Sequence, residues 1–217
     1  MMRFLFRSIA ATVVAITLLP ACASAARDQS APIVQPGAPG EASRVITSEA
    51  AAALKRPAPS AADVHFMQGM MAHHAQAIEM TALLKTRSRN PNMKKLAERI
   101  EVSQADEIRM MREWLEGQGA SVPSEHAHHA PGAVLMPGML SNEEMGRLSA
   151  ATGEAFDRLF LAYMIKHHEG ALVMVRELFT TRGAAQDSDI YAFASDVDAD
   201  QRMEIARMSS MLKELQK

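Results

Sequence analysis

The chain has 217 residues, 48% of them apolar, which is enough for one ordinary domain with a real core plus tails. A net charge of −2 with both signs intermixed, and only 5% aromatic residues, exclude a basic or base-stacking surface for nucleic acid. Methionine is the outlier: it occurs 17 times, against a single cysteine.

The chain opens with Arg3 and Arg7, followed by an apolar run over residues 9–19. That run is well short of the ~20 residues that span a bilayer, so residues 1–25 are read as an export signal. Two processing routes compete. "LPAC" (19–22) resembles a bacterial lipobox, with Cys22 as the lipidated residue and membrane anchor and Pro20 as an unusual second position. "ASA" (23–25) would serve ordinary signal peptidase. The lipoprotein route is preferred, because the only cysteine stands where acylation needs it. Both routes predict an exported, periplasmic protein. Without Cys22 the remaining chain has no thiol, so a soft-metal site would have to use thioether sulfur and imidazole.

Residues 26–59 are rich in Pro, Ala, Gly and Ser and predict a flexible linker, with a short helix near 47–55. The folded domain is expected over residues 60–217. Its first helix opens at Ser60, where "SAAD" offers a capping box, and runs to about Arg87 before Pro91 restarts the chain. A second helix covers about 92–116 and ends at "GQGASVP". A His/Met-rich loop follows over 121–140, punctuated by Pro and Gly. "SNEE" (141–144) caps a short helix, a longer one spans about Gly153 to Arg182, and the last runs from Ser188 to the C-terminus. No segment shows the alternation of a strand, so the fold class is all-α.

An internal repeat organises these helices. Phe66, Met70, His73, His74, Ala77 and Met80 match Phe160, Met164, His167, His168, Ala171 and Met174 at an offset of 94. Gln104, Glu107, Ile108 and Met111 match Gln201, Glu204, Ile205 and Met208 at an offset of 97, which places a longer turn in the second half. Two repeated helical hairpins predict a four-helix bundle.

On each long repeat helix the steps of three and four residues put His73 and His167 in the buried seam, with His74 and His168 about 100° round, at a helix boundary. One reading makes these satisfied core histidines donating to Glu107 and Glu204, with methionine as gap-filling core. The other makes them metal sites, and the duplicated pairing of histidines with methionines favours it. Thioether with imidazole suits Cu(I) and Ag(I); paired histidines would also take Cu(II) or Zn(II). Histidine ligands of ordinary pKa should weaken between pH 7 and 5, whereas thioethers should not. Glu107 and Glu204 are candidates to fix the imidazole tautomers from behind. A carboxylate-bridged di-iron site is disfavoured, because the only Glu-x-x-His, Glu125 to His128, lies in the loop. His126, His128 and His129 with Met136 and Met139 form a candidate loose metal-catching loop. His65 has no counterpart in the second half and is read as structural.

"FMQGMMAHHAQAIEM", "QADEIRMMREWL" and "FDRLFLAYMIKHHEGALVMV" together resemble the domain of unknown function 305 family, over roughly residues 60–215. The resemblance implies a ferritin-like four-helix bundle, export, and copper binding in copper tolerance. It draws the implied ligands from Met70, His73, His74, Met80, Met164, His167, His168 and Met174. Three functions remain open on these grounds. The first is a non-enzymatic protein that sequesters copper or delivers it to another copper-handling protein. The second is a helical interaction module with core histidines. The third is a metal-dependent oxidoreductase, against which stands the lack of any substrate-side acid, base or redox motif.

Overall fold

The computed structural model describes residues 31–35, 42–54, 58–124 and 135–215. Cys22, the export signal, and His126, His128 and His129 of the loop lie outside the described residues. The chain divides into two units, residues 1–54 and 55–217.

In the first unit, β1 (Ile33–Gln35) pairs antiparallel with β2 (Arg44–Ile46), in a register that sets Val34 opposite Val45. The helix α1 (Ser48–Ala52) follows, capped by the Thr47 hydroxyl. The strand pair corrects the expectation of no strands. Three residues per strand are too few for alternation to register, but β-branched Ile33, Val34, Val45 and Ile46 suit extended backbone. Arg44 also donates from Nε to Gln35 Oε1 across the pair at 2.7 Å.

The second unit is an all-α bundle. Its long helices are α2 (Ala61–Arg87), α3 (Pro91–Gly117), α5 (Gly153–Thr180) and α6 (Ser188–Glu214), with the short α4 (Asn142–Ala150) before α5. Ser60 and Asp63 cap each other reciprocally, as do Ser141 and Glu144. Asp63 goes further: its Oδ1 accepts the Ala185 amide at 2.7 Å, tying the start of α2 to the α5–α6 turn. That turn (181–187) is longer than the α2–α3 turn (88–90), as the change of offset between the repeats requires.

Helix α2 packs on α3, α5 on α6, and the two repeat-bearing helices α2 and α5 on each other. The apolar interior forms two clusters. One joins Phe66, Met70 and Met71 of α2 to Met174, Val175 and Leu178 of α5. The other joins Ala77, Met80 and Leu84 of α2 to Phe156, Phe160 and Met164 of α5. The early part of α2 therefore meets the late part of α5, so the two helices run antiparallel, and both histidine pairs fall at the boundary between the clusters. A polar layer crosses the middle of the bundle.

Candidate metal centre

His73, His74, His167 and His168 are all fully buried. The His73 and His167 rings meet across the α2–α5 interface with centroids 3.7 Å apart. His74 and His168 flank them, at centroid distances of 6.3 Å from His73 and 6.1 Å from His167 respectively. The four rings make one continuous layer. The sequence placed only one histidine of each pair inside; burial of both follows because α3 and α6 cover the helix boundary.

Those outer helices supply the carboxylates expected there. His74 Nε2 donates to Glu107 of α3, and His168 Nε2 donates to Glu204 of α6 at 2.5 Å. Glu107 also accepts from the Ser103 hydroxyl at 3.2 Å. Burial works to raise the Glu107 pKa, but the hydrogen bonds from His74 and Ser103 and the attraction to His74 outweigh it and hold the carboxyl below its ordinary range. Both glutamates stand at openings to solvent. Glu204 and Asp200 line a groove of about 910 Å³ between α3 and α6, and Glu107 and Asp200 line a cavity of about 250 Å³. Asp200 is pushed above the usual carboxylate range by burial first, then by repulsion from Glu107 and Glu204.

His73 is held differently. Its Nε2 donates to the Pro137 carbonyl at 3.0 Å, a partner no repeat pattern could announce. The segment carrying Pro137 is clasped by Gln76, which donates to the Leu140 carbonyl at 2.9 Å and accepts the Leu140 amide at 2.7 Å. Gly170 lets it approach: a Cβ there would lie 1.9 Å from the Pro137 oxygen. A buried glycine in the middle of a helix costs about 1 kcal/mol against alanine, so mid-helix Gly170 was the available sequence signal for a close backbone approach.

These bonds orient the rings. A carbonyl or carboxylate accepts, so Nε2 of His73, His74 and His168 carries a proton in these bonds, and Nδ1 is the ring atom left facing away from them. Among the described residues none gives a hydrogen bond to these three buried Nδ1 atoms or to either ring nitrogen of His167. Burial, reinforced by neighbouring His74, pushes the His73 pKa down to about 3 against the pull of the Pro137 carbonyl. Burial, then His73, likewise drives His167 well below the ordinary range. Both therefore stay neutral at physiological pH, with lone pairs free. Gln104 and Gln201, one turn before the glutamates, are buried too, with both polar atoms of Gln104 and Oε1 of Gln201 unpartnered among the described residues.

The candidate sulfur ligands bracket this layer. Met70 and Met174 belong to the cluster on one side, Met80 and Met164 to the cluster on the other. Among the described residues no three His, Cys, Asp or Glu side chains are gathered closely enough to hold an ion alone. An ion here would need thioether as well as imidazole. Of the loop candidates, Met139 is buried, and Met136 lies beside Gly69 of α2 together with Met174.

The profile of the family described as "Domain of unknown function (DUF305)" matches residues 63–212. The chain belongs to the DUF305 family. A DUF305 fragment from Deinococcus radiodurans is 31% identical, covering 73% of this chain and 99% of its own, with a TM-score of 0.62. A DUF305 protein from Streptomyces coelicolor, named as secreted, is 27% identical over 71% of this chain and 93% of its own, also at 0.62. CopM in its Cu(I)-bound form is 27% identical over 70% of this chain and 96% of its own, at 0.54; its Cu(II)-bound form is 26% identical over the same shares, at 0.58. CopM has also been solved with Ag bound. No curated protein matches the chain. Among the described residues no helix is long and apolar enough to cross a membrane.

Proposed function

We propose that this DUF305 protein is an exported copper-binding protein. It holds Cu(I), and Ag(I) in the same manner, between α2 and α5, and it sequesters or delivers the ion rather than catalysing a reaction on it. The observation that carries this reading is the set of buried imidazole nitrogens that have no partner among the described residues. Leaving a buried polar group unpaired costs roughly 1–3 kcal/mol, so five in one layer is a heavy loss unless a further partner completes them.

The donor set favours a soft ion. Imidazole alone would suit Cu(II) or Zn(II), but the layer lies between two pairs of thioethers, which prefer Cu(I). His73, His74, His167 and His168 would offer nitrogen, and Met70, Met80, Met164 and Met174 would offer sulfur. Glu107 and Glu204 hold His74 and His168 by Nε2–H and leave Nδ1 as the basic atom, the arrangement by which carboxylates orient metal-binding histidines. The structures of CopM with Cu(I), Cu(II) and Ag add weight at modest identity. Export follows from the N-terminal sequence, with the periplasm as destination, Cys22 as the lipid attachment and another copper-handling protein as recipient.

The competing reading is a helical interaction module. The pairing of His74 and His168 with glutamates favours it, because each ring is already half satisfied. An anaerobic Cu(I) titration of the full-length chain against a competing chelator separates the two. The comparison is a variant with all four core histidines changed to Ala, shown by circular dichroism to remain helical. Tight binding lost in the variant supports the copper reading. Equal, weak uptake by both proteins would leave the interaction module.

A further inference from the structure

Outside the histidine layer, one cavity is lined by the same soft chemistry. It measures about 180 Å³ and is bounded by His65 and Phe66 of α2, Met136 and Pro137 of the loop segment, and Met174 and Glu177 of α5. His65 is exposed, Met136 partly buried, and Met174 buried. The cavity thus runs from a solvent-facing imidazole to a thioether that also belongs to the core.

The two methionine heads meet at Gly69. A Cβ on that residue would lie 3.1 Å from Met136 Sδ and 3.3 Å from Met174 Cε, so the missing side chain is what lets both methionine heads sit over α2. In the other hairpin the equivalent position holds Tyr163, so this feature lies outside the repeat. Packing alone explains it poorly. Methionine is the usual filler of irregular gaps, yet these two leave the space beside them open. A glycine inside a helix also costs about 1 kcal/mol relative to alanine.

We propose that the His65–Met136–Met174 cavity is a second soft-metal site, which takes Cu(I) or Ag(I) at the protein surface ahead of the histidine layer. One imidazole and two thioethers supply three donors suited to such an ion, and the Glu177 carboxylate at the rim offsets its charge. Pro137, next to Met136 in the chain, accepts the hydrogen bond from His73, so the segment that closes the cavity also touches a core imidazole. The choice of ion rests on the copper reading above; the donor geometry is independent of the core nitrogens.

The test follows the methionine ε-methyl resonances, labelled with ¹³C, as Ag(I) is added to the full-length chain. Ag(I) stands in for Cu(I) because it is also a closed-shell soft cation and does not oxidise. The Met136 and Met174 methyls are expected to shift together, and H65A/M136L is expected to bind one ion fewer while the shifts of Met70, Met80 and Met164 persist. In the protein lacking all four core histidines, Met136 should still shift. If that variant fails to fold, H65A/M136L alone decides. An unmoved Met136 methyl while the core methyls respond would overturn this site and leave the core reading standing. Shifts at Met136 with no response from the core methyls would support the cavity and sink the core. Unchanged stoichiometry in H65A/M136L would overturn the cavity.

Discussion

The two helical hairpins carry the same chemistry but not the same surroundings. Each contributes two buried histidines, a glutamate behind the second of them, and a methionine to each apolar cluster. They diverge where the 136–140 segment lies. Gln76 clasps that segment, whereas the equivalent Gly170 clears space for it. Gly69 seats Met136, whereas the equivalent Tyr163 packs into the second apolar cluster. As a result His73 donates to a carbonyl of that segment, and His167 does not. Duplication accounts for the donors, and a single unrepeated segment accounts for the asymmetry between them.

The strongest way to break that asymmetry is Gly170→Ala, which forces a Cβ against the Pro137 carbonyl. It should destabilise the protein by up to roughly 3 kcal/mol in urea unfolding. Gly146→Ala in α4, where a Cβ meets nothing within 4 Å, should be neutral or slightly stabilising. Equal effects of the two substitutions would mean that the loop does not rest on α5.

Acid probes the layer as a whole. His73 and His167 have folded pKa values below their unfolded ones, so between the folded value and about 6.5 the unfolded chain binds more protons. Metal-free protein should be fully stable above that window and lose stability as pH falls through it. For His73 the loss is about 1.4 kcal/mol per pH unit, or about 2 kcal/mol by pH 5, with His167 acting in the same direction. Urea midpoints measured from pH 7 to 4.5 would show it, and a flat profile would contradict the buried layer. For His73 and His167 the expectation that histidine ligation weakens between pH 7 and 5 does not apply, on the same ground. It assumed ordinary imidazoles, and burial keeps these two neutral through that range.

Glu107→Ala and Glu204→Ala sharpen the repeat itself. Each strands a buried imidazole N–H, at a cost of roughly 1–3 kcal/mol, and the two should agree closely in thermal unfolding if the hairpins are equivalent there. The smallest effect is expected from Lys166→Ala. It removes the contacts of 2.7 and 2.9 Å with Glu144, but the ammonium is partly exposed, so the change should stay below about 1 kcal/mol.

The periodicity of the methionines and histidines was enough to read the helices, the two hairpins and the all-α bundle, because a buried stripe repeats where the helix repeats. The caps at Ser60 and Ser141 were legible for the same local reason. Glu107 and Glu204 were readable as histidine partners from their shared offset. What escaped was non-local. His73 bonds to a backbone carbonyl 64 residues away, and any residue type supplies a carbonyl. His65 looked structural because it breaks the repeat, yet the cavity it lines is itself unrepeated. The repeat breaks at 69/163 and at 76/170, and these are the positions where the loop is accommodated.

The most direct measurement is a long-range ¹H–¹⁵N spectrum of the imidazoles, taken before and after one equivalent of Ag(I). His73 and His167 should begin as neutral rings, with Nε2 protonated and Nδ1 bare in His73. On metal addition Nδ1 resonances of the layer should move while the Nε2–H signals of His74 and His168 stay. A protonated Nδ1 on His73 at the start, or imidazole signals that ignore the ion, would contradict a soft-metal site built on that layer.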